Sequence, residues 1–202
     1  MEFRWQNAAM GKLHVKQEIA CQQVLVEDSS VFSIQWSLFP QAIAAGLTPD
    51  NLLERYLSYI RRSTFSIITP IRSATGIEFR LMGTPLSLIS FLPPDVEAES
   101  IVLRICGGML VQPRQCDRGE LHFSVDKSDD GIKVSLQLSD YCPLLLGSPS
   151  PALLRRWLYQ FTQAAIHRLV TVRFLALLYR DLAGTSAKFQ VVNVQVRDGK
   201  SI

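Results

Sequence analysis

Residues 151–184 contain no glycine before the last position and no proline after the first. Ser150-Pro151 supplies an N-cap followed by a residue whose φ is preset for the first helical position, and Gly184 stands where a left-handed C-cap ends a helix. The spacing predicts a single helix of 34 residues, roughly 50 Å long. At about 100° per residue, one face collects Leu154, Leu158, Phe161, Ala165, Leu169, Val172, Ala176 and Tyr179. The opposite face collects Arg156, Gln160, Gln163, His167, Thr171 and Asp181. Arg155, Arg156, Arg168, Arg173 and Arg180 interrupt the stretch, and each costs roughly 2.5 kcal/mol or more near a bilayer centre, so no membrane span is expected. A helix this long with one apolar stripe needs a long surface to lie on.

The rest of the chain supplies strands. In 13–26, Leu13, Val15, Ile19 and Cys21 alternate with His14, Lys16, Glu18 and Ala20, and Gln17 alone breaks the inner row. Glu27-Asp28-Ser29-Ser30 predicts a turn or a helix start. The apolar segment 31–46, with Trp36 and Phe39 and a break at Pro40, is expected to form one or two short helices. Thr48-Pro49-Asp50 opens a further helix whose stripe is Leu52, Leu53, Tyr56, Leu57 and Ile60, with Arg61 and Arg62 at its carbonyl end. Strands are then expected at 64–69, 76–82, 86–91 and 100–111, the last bent at Gly107-Gly108. In 119–126, Leu121, Phe123 and Val125 oppose Glu120, His122 and Ser124. Asp129-Asp130-Gly131 is the strongest hairpin signal, leading into Ile132, Val134, Leu136 and Leu138. Residues 188–197 alternate as an added edge strand.

Composition narrows the chemistry. With 202 residues, 48% of them apolar and 19% charged, the chain can bury a core without disulfide staples. A single domain over 1–202 is expected, with 1–11 as a lead-in, 13–184 as the core and 185–202 as an extension. Cys21, Cys106, Cys116 and Cys142 form no CxxC pair, and His14, His122 and His167 have no ligand spacing, so neither metal nor cofactor is expected. A net charge of +3 without an RNA- or DNA-binding signature predicts no nucleic-acid partner. The N-terminus lacks the apolar core of a secretory signal, which predicts cytoplasmic residence. Neither a nucleophile elbow nor a phosphate loop is present, and no catalytic residue is assigned.

The expected fold is α+β, a curved antiparallel β-sheet wrapped around a long C-terminal α-helix. Helix and sheet then enclose a volume that is either filled by side chains or open. The order of the alternating strand 13–26, short helices, the Asp129-Asp130-Gly131 hairpin and the helix 151–184 resembles the helix-grip fold of the START/Bet v 1-like (SRPBCC) superfamily over 13–184. Residues 185–202 extend past that pattern, and Pro85, Pro93 and Pro94 make it irregular. The resemblance implies a cavity for a lipid-like or polyketide-like molecule between sheet and helix. Its lining would be Phe79, Leu81, Leu103, Phe123 and Leu136 from the strands and Phe161, Ala165, Leu169 and Val172 from the helix. Ala165 and Ala176 leave room for a ligand or let the helix sit close to the sheet.

The alternative to ligand binding is a non-catalytic structural or interaction module with a packed core. It would dimerise through the 189–196 edge, or meet a partner or an anionic membrane surface through the flank of Arg155, Arg173 and Arg180. A cyclase- or isomerase-like enzyme, the less favoured reading, needs Glu78, Glu120 or His122 inside the volume. Glu78 with Arg80, and Glu120 with His122 and Ser124, are instead expected on solvated strand faces.

Overall fold

The computed structural model describes residues 16–27, 30–111, 118–142, 165–185 and 187–201. The chain begins with an antiparallel pair, β1 (Lys16–Leu25) and β2 (Val31–Phe39), in which Ala20 faces Trp36 and Gln23 faces Ser33. Two helices follow, α1 (Gln41–Ala44) and α2 (Pro49–Ser63), and then six strands: β3 (Ile68–Ser73), β4 (Gly76–Leu81), β5 (Ser87–Phe91), β6 (Asp95–Val96), β7 (Ser100–Gly107) and β8 (Glu120–Ser128). The chain continues through β9 (Gly131–Tyr141), α3 (Ala165–Ala183), β10 (Lys188–Asn193) and β11 (Lys200–Ser201). The strands join into one open sheet in the order β10-β1-β2-β9-β8-β7-β5-β4-β3, with β11 on β1 and β6 on β7. The fold is α+β and helix-grip-like.

Local chemistry accounts for these boundaries. Thr48 Oγ1 accepts the Asn51 N–H at 3.2 Å and Pro49 occupies the first turn of α2, as the capping pattern requires. Gly184 ends α3 at φ 63°, its N–H donating to the Arg180 carbonyl at 3.0 Å. The β8–β9 hairpin closes with Ser128 opposite Gly131. Register shifts interrupt the β2–β9, β4–β5 and β5–β7 ladders, irregularities of the kind that add local bend and twist to a sheet. Helices α2 and α3 occupy one side of it. The Tyr56 ring of α2 lies 5.2 Å from Phe123 of β8 and 5.2 Å from Phe174 of α3.

Four expectations need correction. Residues 31–39 form β2, and only Gln41–Ala44 is helical before α2. Strand 64–69 is displaced to β3, because 64–67 is a turn in which Phe65 and Ser66 adopt positive φ. The 100–111 strand stops at Gly107. At Gly108 (φ 120°) a Cβ would stand 2.4 Å from the Leu88 carbonyl oxygen, and this close approach lets the Leu110 N–H reach that oxygen at 3.0 Å. The sheet is mixed, since β10 pairs with β1 in parallel after the α3 crossover, while the other pairs are antiparallel. The Ser150-Pro151 cap and the helix before Ala165 lie outside the described residues.

Gly108 gives a direct stability prediction. Gly108→Ala combines a positive φ with a backbone collision, so it should destabilise by about 2 kcal/mol or more. Urea unfolding monitored by circular dichroism reads this as a lowered midpoint at unchanged slope.

Candidate functional site

β2 alternates two rows: Ser33, Gln35 and Ser37 against Phe32, Ile34, Trp36 and Leu38. The polar row faces the helix. Gln35 Nε2 donates to Ser33 Oγ at 2.9 Å, and Ser33 Oγ lies 3.3 Å from His167 Nδ1 of α3. The Ser33 hydroxyl, with one donor and two acceptor sites, bonds Nδ1 in either neutral imidazole tautomer while it accepts from Gln35. Farther along, Gln17 Nε2 donates to Ser37 Oγ at 2.8 Å and to the Leu38 carbonyl at 2.6 Å, and Ser37 donates to the Glu18 carbonyl at 2.5 Å. Ser33 and Gln35 are fully buried.

Two buried polar atoms in this seam meet no protein partner: Gln35 Oε1 on β2 and Thr171 Oγ1 on α3. Leaving each one unpaired costs about 1–3 kcal/mol. His167 is half-buried, and desolvation pushes its imidazole down to about 4, so it is neutral near pH 7. Burial pushes the Cys21 thiol up, against the opposing pull of the Arg168 guanidinium, so it is not an activated nucleophile. Arg168 also donates to Asn193 Oδ1 at 3.0 Å, tying α3 to β10. Beside this contact, Cys21, Gln23, Arg168, Asn193 and Gln195 border a polar cleft of about 320 Å³.

The helix phase differs from the sequence wheel by one residue, about 100°. The buried stripe is Thr171, Phe174, Leu175, Leu178 and Tyr179, whereas Leu169 is 49% exposed and Val172 half-buried. Leu169 is therefore misplaced as an inward residue, and His167 and Thr171 are misplaced as outward ones. The wheel counts apolar residues on the helix alone, but the surface opposite is a row of serine and glutamine.

Among the other proposed lining residues, Phe79, Leu103, Phe123 and Leu136 all join the core, and Leu81 is half-buried at the end of β4. Phe79 packs edge-on against Phe91, with ring centroids 5.4 Å apart. Ala165 begins the described part of α3, and Phe161 lies outside the described residues. A second cleft, of about 300 Å³ between α2 and α3, is bordered by Arg55, Tyr59, Phe174 and Asp181. Neither cleft is lined by Phe79, Leu103, Phe123 or Leu136.

The polar sets on the strands occupy the face opposite the helices. His122 Nε2 and Glu120 Oε2 are 2.9 Å apart, and Arg80 pairs with Glu78 at 2.5 Å, all partly exposed. Cys21 and Cys142 are buried thiols, and Cys106 is an exposed one. No group of three metal-ligating side chains occurs among the described residues.

No family model matches the chain, and no curated protein matches it. Among solved structures it is similar to CalU16 from Micromonospora echinospora, determined by solution NMR, at 14% identity and a TM-score of 0.40, over 85% of this chain and 78% of that one. The crystal structure of CalU16 gives 13% identity and a TM-score of 0.32, over 83% and 96%. The Aha1 dimer from Colwellia psychrerythraea gives 15% identity and a TM-score of 0.38, over 82% and 95%.

His167 makes stability depend on pH. In the unfolded chain it takes up a proton near 6.5, and in the folded chain only near 4. Its contribution is therefore complete above about pH 6.5 and is lost as pH falls toward about 4, on the order of 2 kcal/mol after allowance for its partial exposure. His167→Gln should flatten this segment of a plot of urea midpoint against pH. Equal slopes for the two proteins between about pH 7 and pH 4.5 would contradict the assignment.

Proposed function

We propose that the protein binds a largely hydrophobic small molecule, lipid-like or polyketide-like, between α3 and the sheet, with the molecule's polar end in the β2–α3 seam. The observation that carries this reading is the pair of buried, unpartnered oxygens, Gln35 Oε1 and Thr171 Oγ1, on facing elements. A hydroxyl or N–H group on the ligand offsets their desolvation, while each CH₂ taken from water contributes roughly 0.8 kcal/mol. Orientation thus comes from the seam and affinity from the apolar part. On this reading the chain is a single-domain, cytoplasmic member of the START/Bet v 1-like superfamily that carries or senses its ligand without transforming it. Among the described residues, no helix is long and apolar enough to cross a membrane.

Native mass spectrometry of the protein as purified, followed by organic extraction, tests the reading. A bound mass in the small-molecule range is expected, reduced at least about tenfold in Thr171→Val with Gln35→Leu. The free variant should be as stable as the parent or up to about 1 kcal/mol more stable, because two unpaired polar atoms are gone. Retention of the same bound mass by the variant would remove the seam from the account.

One observation favours the second reading, an interaction module with a filled core. Leu103, Phe123 and Leu136 are 0%, 0% and 1% exposed, and Tyr56 and Phe174 pack into the same cluster. Its natural contact is the sheet edge at β10, near which Val191 and Val196 are 42% and 55% exposed. Light scattering showing a dimer that Val191→Lys converts to monomer, together with no bound mass, would favour this reading over the first.

A further inference from the structure

Large apolar side chains stand out at one end of the sheet. Phe65 is 90% exposed, Met82 66%, Ile67 52%, Met109 46% and Leu86 44%. Backbone hydrogen bonds bring their loops together. The Met82 N–H donates to the Ile67 carbonyl at 2.7 Å, Leu81 to Leu86 at 3.0 Å and Met109 to Ser87 at 3.0 Å. The α2–β3 turn, the β4–β5 hairpin and the end of β7 therefore form one tip. Phe65 and Met82 also hold φ at 52° and 48°, a conformation that L side chains resist. The chain thus accepts backbone strain and apolar exposure at the same two residues, a combination that marks functional positions.

The charge beside the tip is positive. Arg61 and Arg62 end α2, and their carbonyls accept the N–H groups of Ser66 and Phe65 at 2.8 and 3.2 Å, so the last helical turn and the apolar turn are one unit. Arg55, Arg61 and Arg62 are exposed, and among the described residues none has a carboxylate within ion-pair distance. Nearby Glu54 is paired with Arg72 and Glu78 with Arg80, while Asp181 borders the cleft below Arg55 and Arg62. An apolar tip with unpaired guanidiniums on its shoulder suits an anionic interface. A symmetric pairing of two copies would instead set like charges against each other.

We propose that this tip docks on an anionic phospholipid surface, with Phe65, Ile67 and Met82 entering the acyl boundary and Arg61 and Arg62 at the level of the phosphates. The surface is distinct from the β2–α3 seam and does not depend on a ligand being bound there. Co-sedimentation compares vesicles of phosphatidylcholine alone with vesicles that also contain phosphatidylglycerol. The protein should sediment with the mixed vesicles only, and less as salt rises. Phe65→Ser with Ile67→Ser and Met82→Ser, and separately Arg61→Glu with Arg62→Glu, should each lower the apparent partition coefficient at least about tenfold. Leu38→Ser, which removes an exposed leucine beside the Gly131 hairpin, should leave it unchanged. If the triple variant unfolds, the charge reversal decides alone, because both arginines are exposed. Absence of binding to the mixed vesicles, or binding that both variants retain, overturns the proposal. So does light scattering that shows a dimer dissociated by the tip variants, which would make the tip a protein interface.

Discussion

The docking of α3 on β2 is the constraint from which the rest of the arrangement follows. β2 is buried on both faces for most of its length, and the face it gives the helix is its row of serine and glutamine. Those side chains can be buried because they bond to one another and to β1: Gln35 to Ser33, Gln17 to Ser37, Ser37 to the Glu18 carbonyl. Apolar packing holds the helix as well, against β2, β10 and α2. Phe174 meets Tyr56 and Tyr59, while Tyr179 lies between Phe39 and Phe189, with ring centroids 5.2 and 5.8 Å away. The helix is held on β2 by a polar contact at Ser33 and by aromatic packing at Phe39, and on α2 by the Phe174 contacts.

The opposite face of β2 uses different chemistry. Phe32 and Ile34 are buried there with Val24, and cations cover the aromatic rings: Arg197 at 5.3 Å from the Phe32 centroid and Lys133 at 5.1 Å from that of Trp36. Gln22 receives the N–H groups of Val196 and Arg197 and donates to the Arg197 carbonyl, and Arg197 pairs with Asp140 at 3.2 Å. The segment after β10 is thereby stitched across β1. The extension that departs from the helix-grip pattern in sequence is part of the sheet in space, contributing β10 and β11 to its edge.

Much of this was legible in the chain. The cap at Thr48, the Gly184 stop, the Gly131 hairpin and the alternation of Leu121, Phe123 and Val125 are signals a few residues long, and each has a local physical cause. β2 was legible as well, since residues 32–38 alternate strictly, but apolar content and Pro40 point toward helix when weighed above the period. The phase of α3 was not legible. His167 and Thr171 belong on the outside by every rule that considers the helix alone, yet Thr171 is buried and His167 half-buried, bonded to Ser33 134 positions away. The tip at Phe65, Met82 and Met109 is equally nonlocal, since three loops meet there only after the sheet is built. A site formed where a helix lands on a sheet carries no motif, and its polar members look like ordinary surface residues until their partners are known.

Site-resolved thiol labelling of the folded protein tests the helix phase most directly. Leu169→Cys and Thr171→Cys, each in a background with Cys106→Ser and Cys116→Ser, are exposed to a maleimide and read by peptide mass spectrometry. The account predicts that position 169 reacts nearly as fast as in the unfolded chain and that position 171 is protected until the protein unfolds. Rapid labelling at 171 with protection at 169 would turn the helix back to its apolar face and separate α3 from the polar row of β2.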